Sequence, residues 1–205
     1  MYNLSIMAEI IESYKKIAIY SRPWIMRALL VFGAGFVIGA LAGIGTPTLL
    51  DNISDAFMQE FGANPGHTVS LAQDIFIRNL TASAIALIGG IIFGIAPFFV
   101  LLINGFLLGY VMFAVTAHTS PNHWENFFTV LIGILPHGII ELPAIIIAAG
   151  LGLQLGLRWF TDSRGHKLKA FKSSLISAIY VAPIVIAMLA IAALIEVFVT
   201  GRLLS

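Results

Sequence analysis

The chain has 205 residues, of which 59% are hydrophobic and only 10% charged, with a net charge of +1 and no cysteine. A soluble domain carries roughly 25% charged residues, so a water-exposed globule is excluded and the apolar surface calls for lipid as its solvent. The near-zero net charge speaks against nucleic acid as a partner, and the lack of cysteine rules out disulfides, iron–sulfur clusters and thiolate metal sites.

In chain order, residues 1–22 place Met7, Ile10, Ile11, Tyr14 and Ile17 between Glu9, Glu12, Lys15 and Lys16. That spacing predicts an amphipathic helix, lying either on the membrane surface or against the protein's own cytoplasmic face. Glu9 and Glu12 occupy the place where a cleaved leader carries positive charge, so the first apolar run is expected to remain as an anchor. Pro23 and Trp24 mark a boundary, and Arg27–Gly45 is the first predicted crossing. Gly35, Gly39 and Gly43 recur at every fourth position on it and form a groove that admits another helix closely.

Residues 46–78 are the one long polar stretch, with Asp51, Asp55, Glu60 and Asp74 and the single cation Arg78, and are expected to be an extracytoplasmic loop in which Pro65 and Gly66 separate two short helical pieces. From Asn79 to Ala117 the chain is nearly uncharged for about twice the roughly 20 residues that span a bilayer. This predicts two crossings, joined by an uncharged turn near Gly94–Pro97 that sits shallowly at the membrane boundary. Asn126–Leu157 is too long for one straight crossing and carries Pro136, Gly138 and Pro143 at its middle, so a break or kink is expected there. The stretch from Ser173 to Val199 makes the last crossing, with Pro183 inside it.

The expected fold is therefore all-α: a polytopic bundle of about five transmembrane helices with a broken fourth helix, forming a single domain. Cations gather at Lys15, Lys16, Arg22 and Arg27, and again in the 158–172 loop at Arg158, Arg164, Lys167, Lys169 and Lys172. The positive-inside rule makes both segments cytoplasmic, and an even number of crossings between them agrees. The N-terminus is then expected in the cytoplasm and the C-terminus outside, in a multi-pass plasma-membrane protein.

The residues with chemical potential are few. His137 and Glu141 are four apart on the proline-containing helix, near mid-membrane by counting. Ionisable groups at such depth face a bundle interior or a polar cavity. Asn104 is an amide in an apolar helix that must find a partner. These three form the predicted intramembrane polar site, with Arg78 and Asn79 as secondary candidates. Two readings stand: an ion, proton or substrate site at a broken helix, or polar caps that bond neighbouring helices. His137 and Glu141 alone make too small a ligand set for zinc, so no metal is assigned. Nothing calls for a cofactor. No Ser–His–Asp order, phosphate loop or paired-carboxylate motif is evident, so the chain is not read as an enzyme.

Several strings together resemble the stage II sporulation protein M family. They are Asn79-Leu80, Gly90-x-x-x-Gly94, Asn104-Gly105-Phe106-Leu107-Leu108-Gly109, and above all Pro136-His137-Gly138-Ile139-Ile140-Glu141-Leu142-Pro143-Ala144 followed by Gly150 and Gly156. The resemblance covers residues 75–157 most clearly. It implies an integral membrane protein of bacteria or archaea, whose namesake is a membrane scaffold for peptidoglycan-degrading partners in forespore engulfment. The leading expectation is thus a non-enzymatic scaffold or anchor for an envelope complex, partnered by lipid, by copies of itself or by other envelope proteins. The alternative is a channel or small transporter with a midplane site around His137 and Glu141.

Overall fold

The computed structural model describes residues 2–46, 69–118, 123–161 and 166–200. Five long helices account for almost all of them, and no strand occurs among the described residues. They are α1 (Tyr2–Gly45), α2 (Val69–Ile88), α3 (Ile95–His118), α4 (His123–Thr161) and α5 (Lys167–Ile195), with a five-residue π-helical turn Glu196–Thr200 closing α5. All five helices contain a stretch long and apolar enough to cross a membrane. The helical bundle is as composition and length require.

Element boundaries depart from the sequence reading in four places. First, α1 is continuous through Pro23, where a boundary was expected. A proline frees carbonyls one turn earlier, and in membrane helices neighbours take them up. On the same turn the Arg158 guanidinium donates to the Tyr20 carbonyl, next to the Ile19 carbonyl that Pro23 leaves without its helical donor, at 3.4 Å. Second, the helical piece expected after Gly66 begins at Val69 and runs without interruption into the second crossing as α2, carrying Asp74 and Arg78, both exposed. Asp51, Asp55 and Glu60 lie outside the described residues. Third, α4 runs without a gap through both prolines. Pro136 and Pro143 stand seven residues, about two turns, apart, so their missing donors fall along one side and the other rungs hold. Fourth, the 158–172 loop shrinks, since α4 extends to Thr161 and α5 starts at Lys167.

The N-terminal part of α1 does rest on the protein itself. Tyr14 stacks edge-on against Tyr180 of α5, centroids 6.1 Å apart, and donates its hydroxyl to the Tyr180 carbonyl at 3.3 Å. Met7, Ile10, Ile11 and Ile19 remain exposed.

α4 is the hub, packed against each of the other four helices. Toward α1, Ala149 and Leu153 join Trp24, Ala28, Phe32 and Leu101 in one core. Toward α5, Ala144, Ile145 and Ala148 join Val185 and Leu189 in another. The groove of Gly35, Gly39 and Gly43 is filled by α3. A Cβ at these positions would strike the backbone carbonyls of Leu102, Phe106 and Tyr110 in turn. The contact is reciprocal, because Gly105 and Gly109 lie against the backbone of Phe32 and Phe36. The pairs advance together along both chains, so α1 and α3 run parallel. Tyr110, fully buried, ties the far end by donating to the Thr46 carbonyl at 2.8 Å.

A second seam of small residues was not anticipated as a pair. Ala86 and Gly90 meet Gly152, and Gly156 meets Gly90 and Gly94, backbone against backbone. The uncharged turn lies here. Residues Gly89–Ile91 make a single 3₁₀ turn, and Phe93 (φ 53°) and Gly94 (φ 70°) enter the left-handed region to reverse the chain. The turn closes its own hydrogen bonds: Gly94 N–H to Gly90 O at 2.8 Å and Ile95 N–H to Ile92 O at 3.1 Å. Phe160 covers it, its ring 5.0 Å from that of Phe93. Self-satisfied backbone under an aromatic cover explains how a loop without a charged residue is tolerated near lipid.

Candidate functional site

Glu141 projects half-buried from the middle of α4, on the turn between Gly138 and the buried pair Ala144–Ile145. Its carboxyl is hydrogen-bonded by the side chain of Asn79 from α2, and the carboxyl of Glu196 lies close enough to act on it electrostatically. Three helices thus bring one polar group each to a common point. Asn79 and Glu196 are likewise half-buried.

The local structure explains each placement. Asn79 stands mid-way along α2, ten residues after its start at Val69, because that helix begins before the apolar run does. Glu196 opens the π-helical turn at the end of α5. π-Turns are rare single insertions that re-aim side chains and cluster at functional positions. Val197 beside it is 2% exposed, so the turn is held against the bundle.

Of the residues singled out from sequence, Asn79 and Glu141 are brought together, promoting Asn79 from a secondary to a central position. Asn104 is not brought to them. Its amide donates to the Val100 carbonyl of its own helix at 2.8 Å, an intrahelical bond where one between helices was expected. An i−4 carbonyl lies within reach of any short polar side chain on a helix and competes with more distant partners. Arg78 is exposed on α2, away from the packed positions Ala72, Ser83 and Ala86. His137 lies on α4, but its side chain is outside the described residues, as is that of His118.

Sequence reasoning missed Glu196. The signal was present: it is the lone acid in an apolar stretch running from Ser173 to Val199. It also missed Gln154, which is fully buried on α4 with its amide 3.5 Å from Ser174 Oγ of α5. Among the described residues its Oε1 has no partner, nor have the hydroxyls of Ser21 and Ser83.

Chemically, an amide and two carboxyls can do two things. The amide can bond a carboxyl and fix three helices in register, or the two carboxyls can hold a proton or cation between them. Among the described residues no group of three or more His, Asp or Glu gathers to form a fuller metal-ligand set.

Comparison with known proteins agrees with these motifs. One similar protein is an uncharacterized protein of Methanocaldococcus jannaschii, 29% identical over 188 residues, which span 87% of this chain and 94% of the relative. A second uncharacterized protein of the same organism is 36% identical over 66 residues, 32% of this chain and 26% of the relative. No solved structure matches the chain. Residues 28–201, covering all five apolar helices in whole or part, match the family described as Stage II sporulation protein M, and the chain therefore belongs to that family of membrane proteins.

Proposed function

We propose that this protein is a non-enzymatic scaffold or anchor in the cell membrane, with its N-terminus cytoplasmic and its C-terminus outside, that holds an envelope complex through its outer helix faces. The observation that carries the reading is the bond between Glu141 and Asn79. An acid within an apolar helix is used to join that helix to another, as polar residues in membranes commonly are. The glycine seams point the same way, since backbone contact along α1 and α3 leaves no room for a solute between those helices. Because the chain's own α3 fills the Gly35–Gly39–Gly43 groove, association with copies or partners must use other faces. Large apolar side chains such as Leu30, Ile38 and Leu41 on the outer side of α1 are available for it.

In-membrane cross-linking from positions 30, 38 and 41, followed by identification of the adducts, tests this. The expected outcome is a discrete set of protein adducts, homomeric or with envelope proteins. A chain that remains strictly monomeric and uncross-linked overturns the scaffold.

One observation favours a second reading, a small transporter or channel. Glu196 stands near Glu141, and a proton or cation between two carboxyls would offset their repulsion. Under this reading Glu141→Gln and Glu196→Gln each abolish proton or cation flux into proteoliposomes while the fold persists. Under the scaffold reading no variant changes the leak.

A further inference from the structure

At the junction of α1, α4 and α5 an open cavity of about 530 Å³ is lined by Arg27, Arg158, His166 and Lys169, with the hydroxyls of Thr161 and Ser173 beside them. Four nitrogen-bearing side chains from three helices thus face one space, and no acidic residue among the described residues lines it. Among the described residues the ion pair Lys16–Glu12 lies elsewhere on α1, and none of the four is paired with a described carboxylate. Two of them are nonetheless held in place. The Arg158 guanidinium lies 3.5 Å from the centre of the Tyr20 ring and bonds the Tyr20 carbonyl, and that of Arg27 lies 4.2 Å from the centre of the Trp24 ring. Stacking on aromatic faces fixes a guanidinium while leaving its edge donors free for an oxyanion.

We infer that this pocket takes the phosphate of an anionic phospholipid headgroup. The chemistry is that of a phosphate site: guanidinium donors in fixed orientation, an ammonium, an imidazole and the Ser173 hydroxyl, the Thr161 hydroxyl donating instead to the Arg158 carbonyl. Its position selects a lipid over a soluble phosphate. It opens where α4 ends and α5 begins, between apolar spans, next to the exposed Leu168 and Ile19, and with Trp24 and Tyr20 in its wall. Basic pockets between transmembrane helices at that level suit lipid headgroups, with acyl chains lying along the apolar faces. The inference is independent of the scaffold reading.

The test uses the full chain in uncharged detergent, with native mass spectrometry and thermal unfolding read against added phosphatidylglycerol, phosphatidylcholine and inorganic phosphate. Phosphatidylglycerol is expected to be retained and to raise the unfolding midpoint, while phosphatidylcholine and inorganic phosphate do neither. Lys169→Gln and Arg27→Gln should each weaken phosphatidylglycerol retention about fivefold, the effect of one surface cation. Lys15→Gln with Lys16→Gln removes charge away from the pocket and should leave retention unchanged. An equal loss in that control would overturn the pocket in favour of diffuse surface charge. Protection by inorganic phosphate equal to that by the lipid would overturn the lipid assignment, and equal retention of phosphatidylcholine would overturn the phosphate-charge reading altogether.

Discussion

Along the α1–α3 seam, two helices touch through their backbones wherever a glycine of one meets the other. Around Glu141, three helices meet through side chains, and the groups are an amide and two carboxyls. Lipid is as apolar as leucine, so neither contact gains from the hydrophobic effect in the way a soluble core does. The first depends on dispersion over a long, close interface, and any added atom is a collision. The second depends on a polar group having no better partner in hydrocarbon, and substitution leaves the shape intact. The seam is therefore intolerant and the cluster graded.

The difference can be broken most sharply at Gly39. Gly39→Leu places a side chain against the backbone of Phe106, where no rotamer change relieves the clash. It should lower unfolding stability in detergent by about 3 kcal/mol, the upper range for overpacking, or prevent accumulation of the protein. Parental stability in a denaturant titration would show that the seam is not a close contact.

At the cluster the expected effects are smaller and coupled. Glu141→Gln and Asn79→Ala should each cost about 1 kcal/mol, and the double variant less than their sum by about 0.6 kcal/mol, the size of a typical hydrogen bond between membrane helices. Strict additivity in that double-mutant cycle would separate the two residues. The same titration at Gly33 supplies the contrast. It lies on α1 near the seam but has open space where its Cβ would be. Gly33→Ala should be tolerated and gain about 0.5 kcal/mol from reduced backbone freedom. A loss like that at Gly39 would mean that glycine content, and not contact, governs α1.

Much of this was legible beforehand, for identifiable reasons. Glycines at every fourth position share a helix face whatever the fold, so Gly35, Gly39 and Gly43 announce a close neighbour. Which neighbour is another matter, since Gly105 and Gly109 on α3 supply the matching face far along the chain. Glu141 was conspicuous because an acid in an apolar run is costly wherever it lies. Asn104 was equally conspicuous by the same logic, and there a local carbonyl satisfied it. The boundary expected at Pro23 and a break of the helix at Pro136 do not occur, because proline's penalty depends on who takes up the freed carbonyls, a property of neighbours.

Composition and hydrophobic run length alone determined that the chain is a helical membrane protein with five apolar spans, because solvent and backbone satisfaction leave no other option. Local spacing determined which residues share a helix face. Only the tertiary structure decided that α3 fills the α1 groove, that Asn79 and not Asn104 meets Glu141, that Glu196 joins them from the end of α5, and that Arg27, Arg158, His166 and Lys169 face one pocket. Those are pairings across helices, and in lipid they follow from how closely backbones can approach, which no periodicity along a single helix records.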